Sequence, residues 1–296
     1  MTKRPVFTGA GVALVTPMHP DGQVNEAKLR ELVEFQIAEG TDALIAVGTT
    51  GEASTLNMQE HMRVVEVVIE QANRRVPVIA GTGSNDTAHC MNSCRMAQKL
   101  GADGLLLVTP YYNKTSQRGL IAHYTQVATA TDLPMILYNV PSRTGVNMLP
   151  ETVATLYRTV DNVMGLKQAN GDLASAAKVL SLCDIPLYSG NDNEITATLA
   201  IGGQGVISVL SNVVPRVVHD LCAAWFRGDP ATCRQLQLHW LALANALFSD
   251  VNPIPVKAAM NLMGMAVGDC RLPLYTMEDK ALEALREVLC RYQLIE

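Results

Sequence analysis

Eight short β-rich apolar runs, a helical pattern in most of the gaps between them, and no three-glycine nucleotide fingerprint predict an α/β fold. The form they predict is a parallel (β/α)8 barrel, a TIM barrel, with a small C-terminal helical domain. The runs lie at 12–15, 43–47, 77–80, 104–108, 134–138, 163–167, 186–188 and 205–209. Most start roughly 20 to 35 residues apart, the spacing of strand–helix units. Helical patterns fill 25–40, which closes on Gly40, then 57–73, 86–100 (closing on Gly101), 117–131, 150–160 and 173–182. Pro150 suits a first helical turn, where its missing N–H costs nothing. The last gap, 193–200, is short but tolerable in a barrel.

A doubly wound open sheet is the alternative, and it would need a switch point and usually a glycine-rich first turn. Gly9-Ala10-Gly11 and Gly81-Thr82-Gly83 both lack the third glycine of that turn. After Pro215 the strand pattern stops. Helical stretches at 217–225, 230–248, 255–263 and 279–292 follow, broken by Asp229-Pro230 and by Asn252-Pro253-Ile254-Pro255. The expected division is a catalytic barrel over 1–225 and a helical domain over 226–296, packed together, since no flexible linker intervenes.

The bulk composition narrows the partners. Of 296 residues 48% are hydrophobic and 17% charged, enough apolar material for a large core. The formal net charge of −5 and the lack of a Lys/Arg run argue against nucleic acid. Met1-Thr2-Lys3-Arg4 is slightly basic, but no signal-peptide core follows it, and no stretch approaches a membrane span. The expectation is a cytoplasmic, soluble chain. Seven scattered cysteines form no Cys-x-x-Cys pair, and six histidines form no paired ligand motif. Cys90 and Cys94 share a helix face, which reads as packing, and no metal is expected.

In such barrels the active site forms at the C-terminal ends of the strands. The sixth run, Val163-Met164-Gly165-Leu166-Lys167, ends there on a lysine. Desolvation at a buried strand end disfavours the charged ammonium, and a neutral amine attacks a carbonyl to form a Schiff base. Taken alone, Lys167 reads first as a solvated strand-end charge. Its neighbours change the balance. Strand two leads into Gly48-Thr49-Thr50-Gly51-Glu52, strand four into Thr109-Pro110-Tyr111-Tyr112-Asn113, and strand five into Tyr138-Asn139-Val140-Pro141-Ser142-Arg143. Strand seven ends in Ser189-Gly190-Asn191 and strand eight near Ile207-Ser208. Thr49 and Thr50 could simply cap a helix, yet the flanking glycines let a ligand approach the backbone. Tyr111 suits interface packing. Arg143 could be a surface ion pair, but at a barrel mouth it makes a good carboxylate fork. The Gly202-Gly203-Gln204-Gly205 cluster precedes strand eight, at the opposite end, so no phosphate site is expected there.

These stretches resemble the dihydrodipicolinate synthase and N-acetylneuraminate lyase family, the pyruvate-dependent class I aldolases. The resemblance is carried by VGTTGE at 47–52, PVIAGTG at 77–83, TPYYN at 109–113, YNVPSRTG at 138–145 and GVISV at 205–209, and spans the whole chain. The synthase branch is the nearer one. Members of the lyase branch typically carry serine where Thr49 stands and lack an arginine where Arg143 stands. The resemblance implies that Lys167 forms the Schiff base with pyruvate, with no separate cofactor, and that Tyr138 moves protons beside it. It implies a relay from Tyr138 through Thr49 to a Tyr112 lent by a neighbouring subunit. Thr50, Gly190 and Ile207 would then hold pyruvate, and Arg143 the carboxylate of aspartate semialdehyde. A homotetramer built as a dimer of dimers, serving lysine biosynthesis through diaminopimelate, is implied as well. A non-catalytic keto-acid sensor is the alternative of another class, though binding alone needs no nucleophile.

Some positions depart from the family pattern. Gln168 stands where glutamate is usual, Asn170 where a small hydroxyl residue is, and Asn191 where aspartate is frequent; altered tuning is expected. In relatives inhibited by lysine, that effector binds near the positions of Ser54, Met58, His61, Asn85, His89 and Tyr111. Met58 here replaces a polar residue and His89 a carboxylate, so weak or absent inhibition by lysine is expected.

Overall fold

The apolar runs pair in chain order and close on themselves. In the computed structural model, which describes residues 3–296, β1 (Gly9–Ala13), β2 (Ala43–Ala46), β3 (Val78–Gly81), β4 (Gly104–Val108), β5 (Met135–Asn139), β6 (Val163–Gln168), β7 (Leu187–Ser189) and β8 (Gly205–Ser208) form a closed parallel barrel. Every strand is almost wholly buried, which is why the runs are continuously apolar rather than alternating. Of the basic start Met1–Arg4, the first two residues lie outside the described region.

β1 begins earlier than the sequence pattern predicts. Gly9-Ala10-Gly11 gives little β signal, because small residues lack the branched side chains that mark strands. Packing overrides that preference. A Cβ on Gly11 would stand 2.7 Å from Ile45 Cδ1 and 2.8 Å from Phe7 Cζ, so the side chains of its neighbours fill the space. Phe7, Ile45, Ile79, Leu106, Ile136, Tyr138, Tyr188 and Ile207 make the barrel interior. Phe7 and Tyr188 stack at 4.4 Å, and the Tyr188 hydroxyl donates to the Phe7 carbonyl at 2.6 Å, closing the floor.

A second, larger apolar layer lies between the strands and the helices. Those helices are α1 (Glu26–Ala38), α2 (Met58–Ala72), α3 (Thr87–Leu100), α4 (Gln117–Ala128), the short α5 (Pro141–Thr144), α6 (Pro150–Thr159), α7 (Leu173–Leu182), α8 (Ile195–Ala200) and α9 (Pro215–Phe226). Local chemistry sets their starts. Asn25, Asp86, Ser116 and Asp172 each accept a first-turn N–H, and Asn57 with Glu60 forms a capping box on α2. The single turn of α5 was not legible in the sequence, because four residues carry no helical period.

Three further helices follow: α10 (Pro230–Ala246), α11 (Ile254–Leu262) and α12 (Asp279–Arg291). α11 is tied to the loop after β2 by an ion pair with almost no exposure. Lys257 Nζ stands 2.7 Å from Glu52 Oε1 and also donates to the carbonyls of Thr16 and Asp269. The other Glu52 oxygen accepts from the Arg271 backbone N–H at 2.8 Å. Among the described residues no helix is long and apolar enough to cross a membrane.

Candidate active site

The strand register places the lysine. Ile136 pairs with Gly165 and Tyr138 with Lys167 across β5 and β6, while Lys167 pairs with Tyr188 across β6 and β7. Side chains alternate along a strand, and Ile136, Tyr138 and Tyr188 face the interior, so Lys167 faces it too. Lys167 is 6% exposed, and its Nζ lies 4.3 Å from the centre of the Tyr138 ring. A cation over an aromatic face at that distance is attracted by the ring quadrupole.

The loop after β2 brings the two threonines. Val47 has φ +54° and Glu52 φ +59°, left-handed values that a β-branched residue rarely adopts. Backbone strain of this kind is held only where surrounding contacts over-determine it. Here the buried Glu52–Lys257 pair is such a contact. Thr50 is buried and its Oγ1 accepts from Asn252 Nδ2 at 3.0 Å. Asn252, on the segment leading into α11, also accepts Arg143 Nη2 on its backbone carbonyl at 3.2 Å.

Gly190 follows β7, where a Cβ would stand 2.4 Å from Ala169 Cβ and 3.0 Å from the Gln168 carbonyl. Only glycine fits beside the end of β6. Ile207 is fully buried on β8. The three departures from the family pattern make local contacts: Gln168 Oε1 accepts from Asn139 Nδ2, Asn170 Oδ1 from the Asp172 N–H, and Asn191 Nδ2 donates to Glu194.

A cavity of about 340 Å³ opens on this face. Thr49, Tyr138 and Arg143 line it together with Ser54, Met58, His61, His89 and Tyr111. Asn85 lies apart from these: it lines a separate cleft with Asn113 and His123, and its carbonyl accepts from Asn113 Nδ2. Burial lowers the His61 pKa, only partly offset by the Gly81 carbonyl that its Nε2 meets at 2.7 Å. Tyr112 is 89% exposed at φ +71° and does not line this cavity.

Two residues escaped the sequence reading. One is Asn252, seen there only as a helix break. The other is Asp192, which is buried with Oδ2 accepting the N–H groups of Val209 and Leu210, both at 2.9 Å, just past Ile207. Burial raises its carboxyl pKa, against Ser208, those N–H donors and the positive charge of Lys167. Its place two residues after Gly190 was the available signal. Among the described residues no group of three or more His, Cys, Asp or Glu is gathered for a metal.

A closed barrel with a buried lysine at the C-terminal end of β6 is a framework suited to an aldolase-type lyase. The chain belongs to the Dihydrodipicolinate synthetase family, which it matches over residues 6–291. It is 53% identical over 292 residues to the 4-hydroxy-tetrahydrodipicolinate synthase of Geobacter sulfurreducens, covering 98% of this chain and 100% of that protein. The chloride-inhibited dihydrodipicolinate synthase of Acinetobacter baumannii, solved with pyruvate, is 42% identical with a TM-score of 0.95, over 97% of this chain and 99% of that one. The lysine-bound DHDPS of Cyanidioschyzon merolae also gives 0.95 at 38% identity, over 99% and 100% of the two chains. Fold, family and relatives agree on a pyruvate-dependent, aldolase-type lyase of lysine biosynthesis, with the activity of a 4-hydroxy-tetrahydrodipicolinate synthase.

Proposed function

We propose that this chain condenses pyruvate with aspartate semialdehyde through a covalent intermediate on Lys167. The observation that carries the assignment of roles is the register pair of Lys167 and Tyr138 at the mouth of the barrel. The Lys167 amine adds to the pyruvate ketone and water leaves, giving an iminium. That cation is an electron sink, so a proton of the pyruvate methyl group becomes acidic. Tyr138 takes and returns protons at these steps without a fixed negative charge, and its ring face favours the iminium. The enamine adds to the aldehyde carbon of aspartate semialdehyde. The amine of that substrate then attacks the former ketone carbon, expels the Lys167 amine and closes the ring. No further cofactor is needed.

Thr50, Gly190 and Ile207 hold the pyruvate end in this reading. Arg143 receives the second carboxylate, supported by its place on the cavity wall beside Tyr138. Thr49 links Tyr138 to Tyr112 of a neighbouring subunit. The exposure of Tyr112 in its own chain supports a role outside that chain's cavity. The assembly is at least a dimer, and a tetramer of two such dimers is the proposed form. The enzyme works in the cytoplasm. Its catalytic part is the barrel over 1–225, and the helices of 226–296 are a second domain that braces it.

The test is a comparison of aldehydes. Purified protein with pyruvate should turn over aspartate semialdehyde and leave N-acetylmannosamine untouched. Turnover of the sugar instead would move the chain to the lyase branch.

A further inference from the structure

We infer that Asn252 is a positioning residue that sets the hydrogen-bond polarity of Thr50 and so the recognition of pyruvate's carboxylate. The inference rests on the proposed role of Thr50. A threonine hydroxyl has one hydrogen to give and two lone pairs to fill. Asn252 Nδ2 donates to Thr50 Oγ1 at 3.0 Å, across 202 positions of sequence. With the oxygen occupied as an acceptor, the hydroxyl hydrogen is free, and among the described residues no side chain or carbonyl takes it. A carboxylate offers acceptors only. Thr50 therefore faces the substrate as a committed donor.

The rest of Asn252 serves the same end. Its backbone carbonyl accepts Arg143 Nη2 at 3.2 Å, which holds one branch of the guanidinium and leaves its other donors for the cavity. One residue thus steadies both carboxylate-binding groups, one through its side chain and one through its backbone. Asn252 is 5% exposed, and its Oδ1 is buried without a partner. An amide turned the other way would accept from Thr50 and consume the hydrogen meant for the substrate.

The substitution N252D imposes that reversed polarity, because a carboxylate only accepts, and it leaves the backbone carbonyl on Arg143 in place. Steady-state kinetics should show the apparent KM for pyruvate rising about 10- to 100-fold, the range expected for losing a hydrogen bond to a charged group. The KM for aspartate semialdehyde should move by less than about threefold, since Arg143 keeps its anchor. An equal rise in both KM values, or a loss confined to kcat, would overturn the inference. Should N252D fail to fold, the pair T50V and N252A decides: the double variant should be no worse for pyruvate than T50V alone, and additive losses would overturn the coupling. Borohydride trapping of the wild type with saturating pyruvate separates the two levels. A labelled Lys167 with no KM split in the variants sinks the role of Asn252 alone. An unlabelled Lys167 sinks the pyruvate reading and this inference with it.

Discussion

Lys167 and Tyr138 sit side by side on adjacent parallel strands, with the lysine nitrogen 4.3 Å from the centre of the tyrosine ring. Both are nearly buried, and neither is free to leave the barrel mouth without breaking strand register. In the proposed mechanism, a nucleophile and a proton carrier fixed by backbone pairing, rather than by mobile loops, need little reorganisation before reaction.

Tyr112 has no such fixation in its own chain, and the proposed relay requires a neighbour to receive it. Tyr112→Phe should lose about 10²- to 10⁴-fold in kcat, the usual range for a general acid–base group. Its melting temperature and its sedimentation should match the wild type. Full activity in that variant would remove Tyr112 from the mechanism.

The same cavity wall carries Met58 and His89, where lysine-inhibited relatives are expected to offer a polar residue and a carboxylate. A charge-assisted hydrogen bond contributes roughly 1.5–3 kcal/mol, so its loss should weaken lysine binding about 10- to 100-fold. Initial-rate assays should show little inhibition at sub-millimolar lysine, and His89→Glu should strengthen it. Half-inhibition of the wild type in the sub-millimolar range would refute this.

Glu52 and Lys257 hold the β2 loop against α11, with 0% and 2% of their side chains exposed. Replacing Lys257 by methionine leaves the Glu52 carboxylate buried without its charged partner. Breaking a buried pair costs about 3–5 kcal/mol, so Lys257→Met should melt well below the wild type. The double variant Glu52→Gln/Lys257→Met should recover part of the loss, because no lone charge remains. A single variant as stable as the wild type would contradict the role of this pair.

Much of the fold could be read from the sequence, and so could the strand-end residues proposed for the site; contacts between distant segments could not. Strand positions follow from local apolar runs, and Lys167, Tyr138, Thr49 and Arg143 follow from strand ends. Asn252 meets Thr50 across 202 positions, and Lys257 meets Glu52 across 205. No period or turn signal encodes such pairings. The early start of β1 was hidden for another reason: Gly11 is set by the bulk of Phe7 and Ile45, and Gly9 by the close approach of Asp42, not by strand propensity.

Acid should weaken the contact between α2 and the C-terminal segment. Arg271 forks onto Glu60 at 2.6 and 2.9 Å and holds its carboxyl down to about 2, against an ordinary value of 4.5. A depressed folded value means the contribution is whole above the ordinary carboxylate range and is lost as pH falls from there towards 2. Thermal melts of wild type and Glu60→Gln should therefore differ most above pH 5 and converge only as pH falls below about 2. A gap independent of pH would show that the carboxylate's charge is not the source.

The central claim is that Lys167 is the nucleophile. The direct measurement is to incubate the protein with pyruvate, reduce with borohydride, and map the modified peptide by mass spectrometry. A pyruvate-derived adduct on Lys167 is the predicted result. An unmodified Lys167 in a well-folded protein would contradict the account.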